Sequence, residues 1–204
     1  MVLFKQNVKT QNRPLKKLHL RLKTDLSALS EVLDRFEKIA SPRLSRQLYW
    51  ECQLALAESF TNVVRHAHQD LPQSTPIDLE ISLFPRGLEI RIWDSGQPFD
   101  WQGQLRDKLQ CDRDPWALGG RGLCLINKVM DNCRYIPADN CDRGNGDRNC
   151  LILWKQIPPS PPQKGNFISF FKQVLRKIER VLRKVMGLFT RKFLALAIKL
   201  NSVR

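Results

Sequence analysis

The chain has 204 residues, enough for one ordinary domain and an appendage, and its 42% hydrophobic and 26% charged content is that of a globular rather than a disordered protein. Its +14 charge is uneven: residues 164–204 hold 11 basic side chains against the single acid Glu179, a net of +10, while the rest holds 23 basic against 19 acidic, a net of +4. A mildly basic core argues against a nucleic-acid footprint over the domain, and the lack of any apolar run of about 18 residues, or of a signal-peptide core near Met1, argues against a membrane span or leader.

Residues 1–17 are polar and expected to be a flexible N-terminus. Leu18-His-Leu-Arg-Leu-Lys23 alternates with period two and predicts a half-buried strand. Thr24-Asp25 offers a cap for a helix carrying Leu29, Val32, Leu33, Phe36 and Ile39. Ser41-Pro42 breaks that helix and opens a longer one over about residues 43–67. After a loop from Pro72 to Pro76, Ile77–Leu83 and Leu88–Trp93 both alternate strictly around Pro85-Arg86-Gly87 and predict an antiparallel hairpin. Residues 97–118 carry scattered charge and two prolines and predict an irregular segment, of a length that often serves as a lid. Gly122–Met130 predicts a short apolar helix, Cys133–Ile136 a strand, 139–149 a polar hairpin loop, and Cys150–Ile157 a central strand. Pro158-Pro-Ser-Pro-Pro162 ends the domain as a stiff linker over 158–166. The element order predicts a two-layer α/β sandwich over residues 18–157, with one face of the sheet covered.

The six cysteines (Cys52, Cys111, Cys124, Cys133, Cys141, Cys150) form no CxxC pair and no metal-finger spacing, and are expected to be reduced thiols of a cytoplasmic protein. Residues 167–204 are expected to form a basic amphipathic helical tail. From Phe167 to Phe189 the apolar side chains share one helical arc, and Lys172, Arg176, Lys177, Arg180, Arg183 and Lys184 share the other. Such a helix docks on its own domain or in a dimer, or lies peripherally on an anionic membrane surface; with no aromatics on its basic face, nucleic acid is the poorest partner.

Three short segments concentrate the chemistry. On the long helix Glu58, Asn62 and His66 fall at i, i+4, i+8, within about an 80° arc, opposite an apolar arc of Cys52, Leu56, Phe60, Val63, Val64 and Ala67. An amide oxygen suits Mg²⁺, which takes few protein ligands, and a carboxylate one turn away can deprotonate an attacking hydroxyl. Taken alone, this row is also what a solvated helix face would show. Asp94-Ser-Gly96 ends a strand: the carboxylate can accept from an adenine amine and glycine permits close approach, though Asp-x-Gly is also a common turn. Gly119-Gly-Arg-Gly122 opens a helix, where exposed N–H groups and the dipole favour phosphate. Arg121 can add a charge-assisted bond there or point outward.

In this order the three segments resemble the N, G1 and G2 boxes of the histidine-kinase-like (GHKL) ATPases. Glu58-xxx-Asn62-xxx-His66, Asp94-Ser-Gly-Gln-Pro-Phe99 and Gly119-Gly-Arg-Gly-Leu-Cys-Leu-Ile126 are similar to the anti-sigma-factor serine/threonine kinases of bacterial partner switching. The resemblance implies a Bergerat-type ATP-binding sandwich with ATP and Mg²⁺ as cofactors, Glu58 as general base and Asn62 as magnesium ligand. It implies a nucleotide site over Asn62, His66, Asp94, Gly96, Gly120, Arg121, Gly122 and Leu123. It further implies phosphoryl transfer to an anti-anti-sigma antagonist, a sigma factor as the other partner, and a setting that admits a homodimer. A non-catalytic, nucleotide-gated binding module, recruited to a membrane by its tail, is the alternative. Two positions depart from the family pattern: Cys124 stands where some members carry a third glycine, and Asn149-Cys150 where a threonine often begins the last strand. A sensor histidine kinase would need an upstream phosphoacceptor helix, which the strand-like surroundings of His19 do not provide.

Overall fold

A computed structural model describes residues 13–110, 121–138 and 148–158, apart from the side chains of 107–110 and Arg121. Strand β1 (Lys16–Lys23) leads through a short 3-10 turn into helix α1 (Leu29–Ala40), where Asp25 accepts from the Ser27 N–H at 2.9 Å. Helix α2 spans Arg46–Asn62 and starts later than the proline break suggests, because Ser45 supplies the side-chain oxygen that accepts from Leu48 N–H at 3.4 Å. The hairpin forms as β2 (Pro76–Phe84) and β3 (Gly87–Asp94), followed by helices α3 (Trp101–Gln110) and α4 (Arg121–Val129) and strands β4 (Asn132–Ile136) and β5 (Asn149–Gln156).

The strands form one five-stranded antiparallel sheet in the order β1-β2-β3-β5-β4. The register lines up Leu20, Leu79, Ile92 and Leu151 in one row and Leu18, Ile81, Ile90 and Leu153 in the next. Lys155 lies on this same face and its Nζ reaches Glu51 of α2 at 2.7 Å and the Val129 carbonyl of α4 at 2.7 Å, so this is the face the helices cover. The other face carries Asp78, Glu80, Glu89 and Arg91, with ion pairs Lys17–Glu80 at 2.9 Å and Arg91–Glu89 at 2.8 Å, and with Arg148 on Asp78. Period-two alternation in β2 and β3 therefore sorts apolar from charged residues in the two-layer α/β sandwich expected from the sequence.

Helix α2 runs in the middle of the helical layer, in contact with both α1 and α4. That position buries Cys52 through Leu56 consecutively, together with Ser59 and Phe60, so its apolar surface is wider than the single arc read from the sequence. Phe36, Leu56, Phe60 and Ile126 are fully buried and knit α1, α2 and α4 to the sheet. Burial of each such side chain contributes roughly 1.5–3 kcal/mol before ordering costs.

The start of the 97–118 segment differs from the expectation of irregular chain. Residues 101–110 form α3, capped by Asp100, whose Oδ1 accepts from the Gly103 N–H at 2.9 Å. Trp101 and Leu105, one turn apart, are both buried, and Trp101 lies nearly parallel to Tyr135 with ring centroids 6.4 Å apart. Two apolar anchors and a cap that also reads as a turn signal leave little periodicity for the sequence to display. The rest of the expected lid (111–118), Gly119, Gly120, the 139–147 loop, residues 1–12, the linker beyond Pro158 and the basic tail 167–204 lie outside the described residues.

Candidate functional site

Glu58 and Asn62 stand one turn apart near the C-terminal end of α2, both half-buried, on the side that faces the start of α4. Gly122, in the first turn of α4, lies directly over them: a Cβ built on it would sit 2.9 Å from Glu58 Oε2 and 3.3 Å from Asn62 Nδ2. A side chain at 122 would occupy the space these groups use, so the bare backbone here is what lets the two helices close. Among the described residues neither Glu58 nor Asn62 makes a side-chain hydrogen bond or ion pair. Burial pushes the Glu58 carboxyl above its ordinary 4.5, offset in part by the positive field of Arg65. A poised carboxylate, an uncommitted amide oxygen and the N-terminal end of a helix thus converge on one place. The donor set fits a magnesium–nucleotide: Asn62 Oδ1 is a hard oxygen ligand, and the first-turn N–H groups of α4 favour phosphate.

The regular α2 hydrogen bonding ends at Asn62. His68 N–H reaches back five residues to the Val63 carbonyl at 2.8 Å, forming one π-helical turn over Val63–Ala67. His66 lies in this turn and is exposed, beyond the α-helical row that holds Glu58 and Asn62. The same turn brings the helix end against the Asp94-Ser95-Gly96 turn at the end of β3. A Cβ on Gly96 would collide with the Ala67 carbonyl, so glycine is required here by packing of the turn on the helix end.

Asp94 is buried, and its Oδ1 accepts from the Gly96 N–H at 2.9 Å and from Asn149 Nδ2 at 3.0 Å. Asn149 sits opposite Asp94 in the β3–β5 register and is fully buried. Its Nδ2 also donates to the Gly96 carbonyl at 2.8 Å, and its Oδ1 accepts from the Ala138 N–H at 3.1 Å. One amide therefore ties together the ends of β3, β4 and β5. Among the described residues both bonds fall on Oδ1, so the second carboxylate oxygen of Asp94 could accept from a ligand amine.

Two residues at this end of the sheet escape sequence reading. Asn149 is visible in the sequence only as a departure from the family's threonine, yet it holds the Asp94 turn. His68, two positions past His66, is buried, and Ser95 N–H donates to its Nε2 at 2.9 Å. The His-Ala-His spacing is the only sequence signal for it. Leu123 has a buried side chain, leaving its backbone toward the start of α4; Arg121 contributes the first residue of that helix.

Cys52 and Cys133 are free thiols, and burial pushes Cys133 up to about 11. Among the described residues no cluster of three or more His, Cys, Asp or Glu could hold a metal, and no helix is long and apolar enough to cross a membrane.

Comparison with known proteins gives a consistent picture. The Histidine kinase-like ATPase domain family matches residues 22–153, most of the chain. Serine-protein kinase RsbW of Listeria innocua is 28% identical over 88 residues, 41% of this chain and 55% of that protein. Serine-protein kinase RsbW of Staphylococcus epidermidis is 29% identical over 119 residues, 48% of this chain and 72% of its own length. The chain thus spans about half the length of the Listeria relatives it matches.

Proposed function

We propose, since this chain belongs to the histidine kinase-like ATPase domain family, that it binds ATP with Mg²⁺ and phosphorylates a serine or threonine of a small antagonist protein, releasing or sequestering a sigma factor by partner switching. The observation that carries this reading is the closure of Gly122 over Glu58 and Asn62, which sets a carboxylate, an amide oxygen and a helix N-terminus around one position. ATP binding itself is implied by membership of the family and by the kinase relatives.

In this reading Asp94 accepts from the adenine amine, with Gly96 and Asn149 holding the carboxylate in place. The α4 N-terminus, Gly122 with its neighbours Gly120, Arg121 and Leu123, cradles the phosphates. Asn62 would hold the magnesium ion, whose charge would neutralise the phosphate oxygens, and His66, exposed in the π-helical turn, would join the nucleotide site from the end of that row. Glu58 takes the proton from the acceptor hydroxyl as its oxygen bonds to the γ-phosphorus and the bond to ADP breaks. Little covalent work falls to the protein; positioning and charge neutralisation supply the rate.

The experiment pairs the full chain with ATP, Mg²⁺ and a serine-bearing antagonist captured from the native host. Transfer of labelled phosphate is expected, and Glu58→Gln is expected to reduce it by about 10²–10⁴-fold with nucleotide affinity kept. Nucleotide-dependent capture of the antagonist without any phosphoserine would replace this reading with the non-catalytic binding module. Transfer undiminished in Glu58→Gln would remove Glu58 from the chemistry.

A further inference from the structure

We propose that His68 is a positioning residue for the adenine end of the site, holding the Asp94-Ser95-Gly96 turn only while its ring is neutral, so that nucleotide affinity falls as His68 gains a proton. This rests on the reading of the Asp94 turn as the adenine site.

The hydrogen bonds around the ring admit one arrangement of protons. Ser95 N–H is a donor and nothing else, so His68 Nε2, 2.9 Å away, must be the accepting nitrogen. The ring proton of the neutral form then sits on Nδ1, which faces Thr24 Oγ1 at 2.7 Å. Thr24 Oγ1 accepts that proton and donates its own to the Thr75 carbonyl, again at 2.7 Å. The relay runs from the turn after β3, through the end of the π-helical turn, to the end of β1 and the loop before β2. Thr24 is fixed a second time by its N–H on the Gln73 carbonyl at 3.0 Å, so the Nδ1 side of the ring is rigid.

The ring is buried, at 1% exposure, and carries the only side-chain bond to the Ser95 amide among the described residues. A proton on Nε2 would point N–H at N–H. The turn must then shift or the ring must leave its pocket, and either movement displaces Asp94 and Gly96, one residue to each side. Burial depresses the basicity of the ring, and the nearby Asp94 carboxylate, the charged group that acts on it among the described residues, opposes this in part. The ring therefore takes up its proton at lower pH than an ordinary histidine.

Linkage fixes the sign. A nucleotide that needs the ordered turn binds the neutral-ring form, so affinity is full above the His68 pKa and falls as pH drops through it, by at most about tenfold per pH unit for one proton. Gln at this position offers an accepting oxygen near Nε2 and cannot titrate, whereas Leu fills the pocket without accepting.

The test measures Mg-ADP affinity of the full chain from pH 7.5 to 5.5 by calorimetry in wild type, His68→Gln and His68→Leu, and the Ser95 amide shift against pH without nucleotide. Expected results are a wild-type loss of affinity on acidification that His68→Gln flattens, weaker binding by His68→Leu at every pH, and a Ser95 amide that titrates with the His68 ring in wild type alone. A pH dependence unchanged in His68→Gln, or a Ser95 amide indifferent to His68 protonation, overturns the proposal. If wild type binds no nucleotide at pH 7.5, the adenine reading fails instead, while the nucleotide-free amide titration still decides whether His68 holds the turn.

Discussion

Gly122→Ala separates a structural glycine from a functional one. One methyl group added at 122 would lie 2.9 Å from Glu58 Oε2 and 3.3 Å from Asn62 Nδ2, several tenths of an ångström inside ordinary contact. The obstructing atoms are the far ends of side chains, not backbone, so the fold can yield by turning Glu58 and Asn62 aside. Alanine also gains up to about 1 kcal/mol of helix propensity over glycine, which offsets much of the local cost. Thermal unfolding should therefore move by less than about 4 °C in either direction. Function has no such latitude. A displacement of a few tenths of an ångström in both Glu58 and Asn62, the proposed base and magnesium ligand, where about 1 Å can cost 10²-fold, should lower the proposed phosphoryl transfer by about tenfold or more. The assay is steady-state transfer to the antagonist beside differential scanning calorimetry of the same preparation. Wild-type transfer at an unchanged melting temperature would refute the claim that α4 closes over the reacting groups. A large fall in melting temperature would show that Gly122 serves packing first.

The remaining predictions concern single side chains with defined partners. Glu58 should give transfer an ascending limb, rate rising with pH through a pKa above 4.5, and Glu58→Gln should abolish that limb. Because the folded-state pKa is raised, Glu58's stabilising contribution is present below the unfolded value and lost as pH rises through the folded one, so Glu58→Gln should melt no lower than wild type at pH 7.5. Asn149→Ala strips partners from Asp94, the Gly96 carbonyl and the Ala138 N–H; at about 1–3 kcal/mol for each orphaned buried group, urea unfolding should show a loss of several kcal/mol, and a loss under about 1 kcal/mol would mean that water or a rearranged turn replaces it. Lys155→Met leaves Glu51, half-buried at 13% side-chain exposure, without its cation; the expected cost is about 3–5 kcal/mol, and the double variant with Glu51→Gln should recover much of it.

The sheet and its helical cover are legible in the sequence because alternation and capping are local. β1, β2, β3 and β5 fall within a residue or two of where period-two patterning puts them, and the Glu58–Asn62 row survives because it is one turn of an α-helix. Features set by contacts distant along the chain are illegible. Asn149 faces Asp94 only because β5 enters the sheet beside β3, ahead of β4. In sequence terms it is an anomaly where a threonine is common; in space it is the tie that fixes the carboxylate. The π-helical turn has no composition signal, yet it ends the Glu58–Asn62–His66 row and aims His68 at Ser95. α3 is hidden for a different reason, since a capping aspartate and two anchoring side chains make too short a pattern to distinguish from a loop.

These contacts divide the site into halves of different construction. The Asp94 end is held by sheet register and by the fixed side chains Asn149, Thr24 and His68, none of which hydrogen-bonds to Glu58 or Asn62 among the described residues. The Glu58 end is held by the approach of α4 to α2, with the glycine backbone as the contact. Perturbing the first half should weaken ATP and ADP equally, because in the proposed function both would present the same adenine to the Asp94 turn. Perturbing the second should act on what distinguishes ATP from ADP, the terminal phosphoryl group and its transfer. The ratio of ATP to ADP affinity is therefore the quantity to follow across the variants. It should stay constant in Asn149→Ala and His68→Leu and shift in Gly122→Ala, and a ratio that shifts alike in all of them would mean that the halves move as one.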